Sequence, residues 1–356
     1  MVAPSSVSVE PTLETIAAGH PVPTAASEAA GRRALQIAAR AGADDRLVVL
    51  LSGGASALLA VPAEGITLEE KQRTTEVLLR AGTSIHELNA VRKHLSALKG
   101  GQLAAASSAP VYTLAISDVV DDDLSVIGSG PTIPDRSTFS DALAIVERSG
   151  GVQAFPEAVV GRMSTGAAGG FAETPKPGDV RLALGHARVI GGRQDAMNGA
   201  AREARRRGYR VLVAEAPVIG EARHAAIIWT QAFEGVLMTD GPTCIVSSGE
   251  TTVHVTGSGR GGRNQEFTLA LASALTSIGR PVACASVNTD GVDGPTDAAG
   301  AIADSTTVER AHRLGLQPVL FLENNDAYSF FAAIGDLVMT GPTGTNVGDI
   351  QIVVAA

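Results

Sequence analysis

Short apolar runs alternate with amphipathic stretches along most of this chain, and the two patterns predict strands and helices in turn. The apolar runs are short and nearly uninterrupted, which is typical of strands buried on both faces of a parallel sheet. The predicted strands are residues 46–51, 111–117, 209–214, 282–287 and 349–354. The predicted helices are residues 84–98, 194–207 and 267–275. This alternation predicts an α/β fold with a mainly parallel sheet.

Local signals mark where these elements begin and end. Ser84 and Glu87 have the spacing of a capping box at the start of residues 84–98, and Gly100-Gly101 follows as a stop signal. Residues 149–185 are rich in Gly, Ala and Pro and show no clear period, so they read as an insertion or a helical hairpin.

The alternation of predicted strands and helices is interrupted in the last third of the chain. Residues 244–247 and 251–255 both alternate like strands and are separated only by Ser248-Gly249-Glu250, which predicts a hairpin. We therefore place a domain boundary near Gly241-Pro242, with residues 1–240 as the first domain and residues 241–356 as the second.

Composition restricts the classes of function. The 356 residues are 45% hydrophobic but only 3% aromatic, so two cores built from Ala, Val, Leu and Ile are expected. A net charge of −9 argues against a nucleic-acid partner and requires a local cluster of cations for any anionic substrate. The N-terminus does not resemble a signal peptide, and no apolar run approaches the roughly 20 residues of a membrane span. We expect a soluble, cytoplasmic protein that binds no membrane.

The most distinctive motif is the glycine-rich run from Gly257 to Gly262, followed by Arg263-Asn264-Gln265-Glu266. Glycines allow close approach of the backbone to a ligand, and a helix N-terminus offers free N–H groups to an anion. The run also matches G-x-G-x-x-G, the dinucleotide fingerprint, but the ribose-binding acid expected about 20 residues later is missing. A purely structural turn is the third interpretation.

Four further loops follow or flank predicted strands. Ser52-Gly53-Gly54-Ala55-Ser56 is a small, hydroxyl-rich turn, and Asp118 follows the strand at 111–117. Residues 288–297 carry three carboxylates spaced by glycines, which suits Mg²⁺ held with waters and phosphate oxygens. Residues 340–347 form a second loop rich in hydroxyls and glycine. Each loop also has an ordinary structural explanation, and the argument for a site is that all of them could converge on one cleft.

The order of these motifs resembles the glycerate 2-kinase family over nearly the whole chain. The motifs that carry the resemblance are Ser52-Gly53-Gly54, residues 89–96, Ser117-Asp118-Val119-Val120, residues 249–253, residues 261–266, residues 289–297 and residues 341–347. Members of the family transfer the γ-phosphoryl group of ATP to the 2-hydroxyl of D-glycerate with a divalent metal. They have a Rossmann-like domain joined to a smaller α/β domain, named MOFRL, with the active site in the cleft between them.

The resemblance implies ATP and Mg²⁺, or another divalent metal, as cofactors, and glycerate as the small-molecule substrate; it leaves a homodimer open. It implies that Arg263 stabilises charge on the transferring phosphoryl group, with Asp118 and Asp290 nearest the chemistry. Asp290 and Asp293 are candidate metal ligands. The candidate substrate and nucleotide contacts are Ser52, Gly53, Gly54, Ser56, Asn89, Arg92, Lys99, Gly261, Gly262, Asn264, Glu266, Thr345 and Asn346. We expect the guanidinium of Arg263 to be accessible to solvent.

The chain departs from the family pattern in ways that bear on activity. The N-terminal Gly-Lys-Ala motif, whose lysine is thought to act in the family's active site, is absent, and the first lysine is Lys71. Asp121, Ser248 and Asn288 stand where the family usually has glycine. Two alternatives to kinase activity therefore stay open. One is an NAD(P)H-dependent hydroxypyruvate reductase, a label that many members carry, and the other is a catalytically impaired nucleotide-binding member.

Overall fold

The computed structural model describes residues 1–4 and 13–356, which divide into two compact units. The first unit comprises residues 1–116 and 121–190, and the second comprises residues 117–120 and 191–356. The sequence-based boundary at 240/241 lies within the second unit, since residues 210–213 and 243–246 pair as neighbouring strands there. As a boundary between domains it remains a prediction. In the part of the chain that the structure describes, no helix has the length and apolar character needed to cross a membrane.

The first unit contains helices around a small parallel sheet. Its strands are β1 (Val2–Pro4), β2 (Ile16–Ala18), β3 (Leu47–Leu51), β4 (Val111–Ile116) and β5 (Gly185–Gly191). Its α-helices are α1 (Ala25–Arg40), α2 (Ala55–Leu58), α3 (Leu68–Arg80), α4 (Ile85–His94), α5 (Gln102–Ala105), α6 (Phe139–Arg148) and α7 (Glu157–Ala167). The order β3-β4-β5 forms one sheet, with β3 and β4 parallel, and β1 and β2 form a separate parallel pair.

The second unit is built on a larger mixed sheet. Its strands are β6 (Arg210–Val213), β7 (Val218–Glu221), β8 (Thr243–Thr252), β9 (Val282–Asn288), β10 (Gly300–Asp304), β11 (Leu337–Val338) and β12 (Asp349–Ala355). Its helices are α8 (Arg193–Arg206), α9 (Ala222–Leu237), α10 (Arg263–Ser277), α11 (Thr307–Arg313), α12 (Pro318–Glu323) and α13 (Ala327–Ile334). The strand order is β11-β10-β9-β12-β8-β6, with β7 also pairing with β8. Because β12 is antiparallel to both β8 and β9, those two strands run in the same direction.

The predicted α/β class is confirmed, and the second sheet is mixed because β10 and β12 run opposite to its other strands. The predicted strands agree with the observed ones to within one or two residues. The capping box is present, with Ser84 accepting from the Glu87 N–H and the Glu87 carboxylate accepting from Ser84. That helix, however, ends at His94 rather than at Leu98.

The predicted hairpin at Ser248-Gly249-Glu250 is wrong, because β8 continues through these residues as one strand. Gly249 is needed there for close packing and not for a turn. A Cβ atom on Gly249 would lie 2.0 Å from the carbonyl oxygen of Val218 on β7. Asp349, the first residue of β12, pairs with Gly249 of β8. The long strand β8 therefore places Glu250 at the same end of the sheet as Asp349.

Helix α10 begins at Arg263, four residues before the predicted start, and is enclosed by the core of the second unit. Its first turn is polar yet buried, with Asn264, Gln265 and Glu266 each at most 2% exposed. Buried polar side chains need hydrogen-bond partners, so this turn organises the residues around it.

Candidate functional site in the second unit and a buried cation cluster in the first

Two carboxylates hold Arg263 at the start of α10. Its Nε and one terminal nitrogen donate to the two carboxylate oxygens of Asp349 over 2.7 and 3.0 Å. The other terminal nitrogen donates to Oε1 of Glu250 over 2.8 Å. The Arg263 side chain is 25% exposed, so the expectation of solvent access holds for part of the guanidinium. These three contacts use the Nε hydrogen and one of the two hydrogens on each terminal nitrogen.

The charges of this cluster are strongly coupled. Burial opposes the charged guanidinium, but Asp349 and Glu250 outweigh it and keep the pKa of Arg263 above its usual value. Burial also raises the pKa of Asp349, and the attraction of Arg263 offsets only part of that rise. Since the Asp349 carboxylate is completely buried, Arg263 is its necessary counter-charge.

A third carboxylate caps the helix that carries Arg263. The oxygens of Asp293 accept from the backbone N–H groups of Asn264 and Gln265 over 3.0 and 2.9 Å. Burial raises the pKa of Asp293 to about 6, although these N–H groups lower it. Gly262 is required because a Cβ atom there would lie 2.2 Å from the Asp293 carboxyl carbon. The expectation that these two helix N–H groups are free for a ligand is therefore wrong.

The glycine-rich run binds a loop of its own chain. The backbone N–H groups of Thr256 and Gly257 donate to Oδ1 of Asn325, and those of Ser258 and Gly259 donate to Asn324. Arg260 completes the series by donating its backbone N–H to Asp326. A Cβ atom on Gly257 or Gly259 would overlap residues 324–326. Close packing thus explains these two glycines, and the N–H groups that a dinucleotide would need are already taken.

Glu266 and Asn264, two further predicted ligand contacts, also bind residues of this chain around the start of α10. The Glu266 carboxylate accepts from Arg223 and from the side chain of Asn325, the residue that holds the glycine-rich run. Asn264 donates to Asp293 and accepts from Ser286. Both side chains are buried, and their partners hold the first turn of α10 in place.

The loops at residues 289–297 and 340–348 come together beside these groups. Thr289 donates to the carbonyl oxygen of Gly348 and accepts from the backbone N–H of Val347. Oδ1 of Asn346 accepts the N–H of Gly348 over 3.0 Å, and the carbonyl of Asp290 accepts the N–H of Thr343. Of the five loops expected to converge, those at residues 257–262, 288–297 and 340–347 are in contact, and convergence with the other two stays a prediction. Their contact brings together Arg263, Asn264, Asp290, Asp293, Thr345 and Asn346 at one end of the sheet.

A chain of hydrogen bonds links the predicted polar residues of the first unit. The Lys99 ammonium group donates to the Ser56 hydroxyl, to the Ser56 carbonyl and to the Gly128 carbonyl over 2.9 to 3.2 Å. The Ser56 and Ser129 hydroxyls are 2.9 Å apart, and Ser129 donates to Oδ1 of Asn89. The amide nitrogen of Asn89 is buried and meets no acceptor among the described residues.

Two further cations lie close to Lys99. Burial, together with the charge of Arg92, lowers the pKa of Lys71 to about 7. Burial and then the charges of Arg92 and Lys71 hold the pKa of Lys99 well below its usual value. Burial alone lowers the pKa of Arg92 to about 10. Nε of Arg92 is buried with no acceptor in the part of the chain that the structure describes.

The remaining predicted residues have less defined surroundings. Ser52 is exposed and Gly53 and Gly54 are partly buried, with Gly54 at φ +80° just before the four-residue α2. Asp118 is partly buried directly after β4, where the neighbouring Ser117 accepts the backbone N–H of Val119. The roles of these residues stay predictions.

Neither of two sizeable cavities is lined by a predicted residue. One, of about 640 Å³, is mostly apolar and lies between residues 212–219 and helix α9. The other, of about 590 Å³, lies in the first unit beside the buried ion pair of Lys93 and Asp135.

Sequence reasoning missed Asp349, Lys71 and Ser129, which complete the two clusters. Asp349 carries one signal, since a carboxylate opens a mostly apolar strand directly after a glycine-rich loop. Lys71 lies on the amphipathic helix α3, and nothing in the local sequence distinguishes it from a surface lysine. Only the fold reveals that it is 4% exposed.

Among residues 1–4 and 13–356 there is no group of three or more His, Cys, Asp or Glu side chains arranged to hold a metal. Asp290 suits a divalent ion that is completed by waters and substrate phosphate, because its carboxylate is partly exposed and accepts only local N–H groups such as that of Val292. Asp293 suits it less, since both of its oxygens accept N–H groups of α10.

Comparison with known proteins identifies the relatives of this chain. Residues 2–164 match a domain of unknown function (DUF4147), and residues 243–349 match the MOFRL family. D-glycerate 2-kinase of Thermotoga maritima is 40% identical over 95% of this chain and 79% of its own length. Glycerate 2-kinase of Pyrococcus horikoshii is 38% identical over 96% and 78%. A protein of Agrobacterium vitis called putative hydroxypyruvate reductase is 42% identical over 96% and 77%.

The solved structures agree with these relationships. The crystal structure of glycerate kinase from Thermotoga maritima has a TM-score of 0.88 and 38% identity, covering 100% of this chain and 84% of that chain. A Pyrococcus horikoshii protein has a TM-score of 0.81 and 37% identity, covering 99% and 82%. Similarity of this extent, over both units, shows that the chain belongs to the glycerate 2-kinase family.

Proposed function

We propose that this protein is an ATP-dependent D-glycerate 2-kinase, which transfers the γ-phosphoryl group of ATP to the 2-hydroxyl of D-glycerate and releases ADP and 2-phosphoglycerate. The bond formed joins the glycerate oxygen to phosphorus, and the bond broken joins that phosphorus to the bridging oxygen of ADP. Membership of the family supports this reaction. The observation that supports a role for a particular residue is the fixed orientation of the Arg263 guanidinium.

Arg263 is suited to phosphoryl transfer because its side chain is already held in one orientation, so little conformational entropy is lost when substrate binds. Asp349 and Glu250 fix the guanidinium plane, and the unused N–H on each terminal nitrogen can donate to phosphoryl oxygens. Such fixed donors lower the barrier because charge on the transferring group is met without reorganisation. Lysine could not replace this fork, since a point charge cannot reproduce its two-point geometry.

Two carboxylates complete the proposed chemistry. Asp290 would hold Mg²⁺, which when bound neutralises charge on the β- and γ-phosphates. Asp118 would accept the proton of the 2-hydroxyl as that oxygen attacks phosphorus, a role that a carboxylate has in other phosphotransferases. The residues proposed to contact substrate or nucleotide are Ser52, Gly53, Gly54, Ser56, Asn89, Arg92, Lys99, Thr345 and Asn346.

A coupled assay of ADP release with D-glycerate, ATP and Mg²⁺ tests this function. We expect turnover that requires both substrates and the metal. Asp118→Asn should lower kcat by about 10²-fold or more if it accepts the proton, with a smaller effect on KM. Failure of a well-folded sample to release ADP in response to D-glycerate would exclude the proposed activity for this chain.

The same sample separates the two alternatives. Nucleotide that raises the melting temperature without any turnover would indicate a binding protein that lacks the chemistry. Oxidation of NADH by hydroxypyruvate would support a reductase. The glycine-rich run argues against a reductase, because Asn324, Asn325 and Asp326 already occupy the N–H groups on which a dinucleotide would depend.

A further inference from the structure

Burial and like charges dominate the surroundings of three cations of the first unit, Lys71, Arg92 and Lys99. Lys71 and Lys99 are 4% and 0% exposed; besides burial, the charge of Arg92 acts on both and the charge of Lys71 acts on Lys99. Like charges inside a protein repel one another and lose hydration, so such a cluster destabilises the free protein. An arrangement of this kind is maintained at a cost to stability.

The polar groups left without partners in this cluster are all donors. Nε of Arg92 and Nδ2 of Asn89 are buried without acceptors in the described structure. The ammonium group of Lys71 donates to one carbonyl, that of Leu95, over 3.3 Å, although it carries three hydrogens. Unmet donors together with excess positive charge call for a ligand that is anionic and rich in acceptors.

The hydrogen-bond chain of this cluster fixes the orientation of Asn89. Because Lys99 donates to the Ser56 hydroxyl and Ser129 donates to Oδ1 of Asn89, the hydrogen shared by the two serines belongs to Ser56. Oδ1 of Asn89 is therefore used by the protein, and Nδ2 is the end left over. Asn89 and Arg92 are three residues apart on α4, which places them on the same side of that helix.

We propose that Lys71, Arg92 and Lys99, with the amide of Asn89, form a phosphate-binding site in the first unit that takes a phosphate group of the nucleotide substrate. The inference rests on the proposed kinase function for the choice of nucleotide. A bound anion favours the protonated forms of Lys71 and Lys99, and three cations then match a doubly charged phosphate group better than the single charge of the glycerate carboxylate. Arg92, the partly exposed member, makes the outer contact, and Lys99 supplies charge while holding the loops at Ser56 and Gly128.

Calorimetric titration of the full chain with ADP tests the site without requiring turnover. We expect Arg92→Gln to weaken ADP binding by about 10- to 100-fold, as loss of a charge-assisted contact to phosphate does. Adenosine, which has no phosphate, should bind both proteins equally. Arg73→Gln is the matched control, because Arg73 is an exposed cation on α3, the helix that carries Lys71, and its loss should change ADP affinity less than twofold.

A second readout separates a binding role from a structural one. If the cluster exists for an anion, Arg92→Gln should leave the melting temperature of the free protein unchanged or raised, while the shift produced by ADP becomes smaller. A lowered melting temperature with unchanged ADP affinity would overturn the proposal and make Arg92 structural. A rise in the KM of D-glycerate with unchanged ADP affinity would also overturn it and assign the cluster to the carboxylate.

Failure of this site and failure of the proposed function give different results. If the chain binds ADP through Arg92 but does not phosphorylate D-glycerate, the function is wrong and the phosphate site stands. If it phosphorylates D-glycerate while Arg92→Gln binds ADP like the wild type, the function stands and the phosphate site is wrong.

Discussion

Arg263 has a structural role and a proposed chemical role, and a single substitution would affect both. It neutralises the completely buried carboxylate of Asp349, and we propose that its remaining N–H groups meet the transferring phosphoryl group. If the glycine-rich run were a purely structural turn, Arg263 would be expected to contribute little to stability. The bidentate contact with Asp349 changes that expectation, because removing one partner of a buried ion pair leaves the other charge without compensation.

Arg263→Gln should lower the free energy of unfolding by about 3 kcal/mol, because Asp349 loses its counter-charge. It should also lower kcat/KM by about 10²- to 10³-fold through loss of transition-state stabilisation. Urea unfolding and the ADP-release assay measure the two effects on the same sample.

The double variant Arg263→Gln, Asp349→Asn is the control that separates these effects. Removing both charges should restore most of the stability, since no unpaired buried carboxylate remains, but the activity should stay low. Recovery of activity together with stability would contradict the chemical role and leave Arg263 as a structural residue.

Lys71 predicts a dependence of stability on pH. Its pKa is about 7 in the folded chain and near its ordinary 10.5 when unfolded, so the unfolded chain binds more protons between these values. Stability should therefore rise with pH across this window, by at most about 1.4 kcal/mol per pH unit for this group. Arg92 and Lys99 face Lys71, and the lowered pKa of Lys99 acts in the same direction.

Lys71→Met should make this dependence shallower without abolishing it, because Lys99 still contributes. Urea unfolding at several values between about pH 7 and about pH 9 gives the slope for each protein. Equal slopes for wild type and variant would show that Lys71 does not titrate in this window.

At the scale of elements, strand β8 shows both the reach and the limit of sequence reasoning. Its apolar first half was predicted, but Ser248-Gly249-Glu250 resembles a turn in every local respect. What makes it extended is β7, a strand about 30 residues earlier, whose Val218 leaves no room for a side chain at Gly249. A contact between distant segments cannot be read from the local pattern.

Gly249→Ala should lower the free energy of unfolding by about 2 kcal/mol or more, because a Cβ atom 2.0 Å from the Val218 carbonyl forces the strands apart. Gly235→Ala is the control, since a Cβ atom at this exposed position on α9 meets nothing within 4 Å. That substitution should raise stability by about 0.5 to 1 kcal/mol through helix propensity. Thermal or urea unfolding measures both, and a harmless Gly249→Ala would contradict the packing of β7 on β8.

The glycine-rich run from Gly257 to Gly262 is a second place where a distant segment determines the local structure. Its glycines were correctly identified as places of close approach, but the partner is residues 324–326 of the same chain and not a ligand. The motif also pointed to Arg263, and the structure gives that residue its carboxylate partners. Hydrophobic pattern and capping signals predicted the class of fold and most strand positions. The partners of polar residues depend on the tertiary fold and could not be predicted.

At the scale of the whole molecule, a buried cluster of positive charge lies within a chain whose net charge is negative. The chain carries a net charge of −9, yet Lys71, Arg92 and Lys99 form a buried cluster of like charge in the first unit. In the second unit Arg263 is paired with Asp349 and Glu250, whereas burial and like charges dominate the surroundings of Lys71 and Lys99 in the first unit. This difference suits a fixed donor for phosphoryl charge in one unit and a binding site for phosphate in the other.

The names of the relatives leave the chemistry to be decided by experiment. Proteins of similar identity are called glycerate 2-kinase or putative hydroxypyruvate reductase, although they share this chain over nearly its whole length. The two reactions leave different products, so a measurement of the product settles the matter where a comparison of names does not.

Phosphorus NMR of the products formed from D-glycerate, ATP and Mg²⁺ tests the central claim most directly. We expect ADP and a phosphomonoester on the 2-hydroxyl of glycerate in equal amounts, with formation slowed about 10²-fold or more in the double variant Arg263→Gln, Asp349→Asn. A phosphomonoester on the 3-hydroxyl, ADP with free phosphate only, or no change in phosphorus signals from a folded sample would contradict the account.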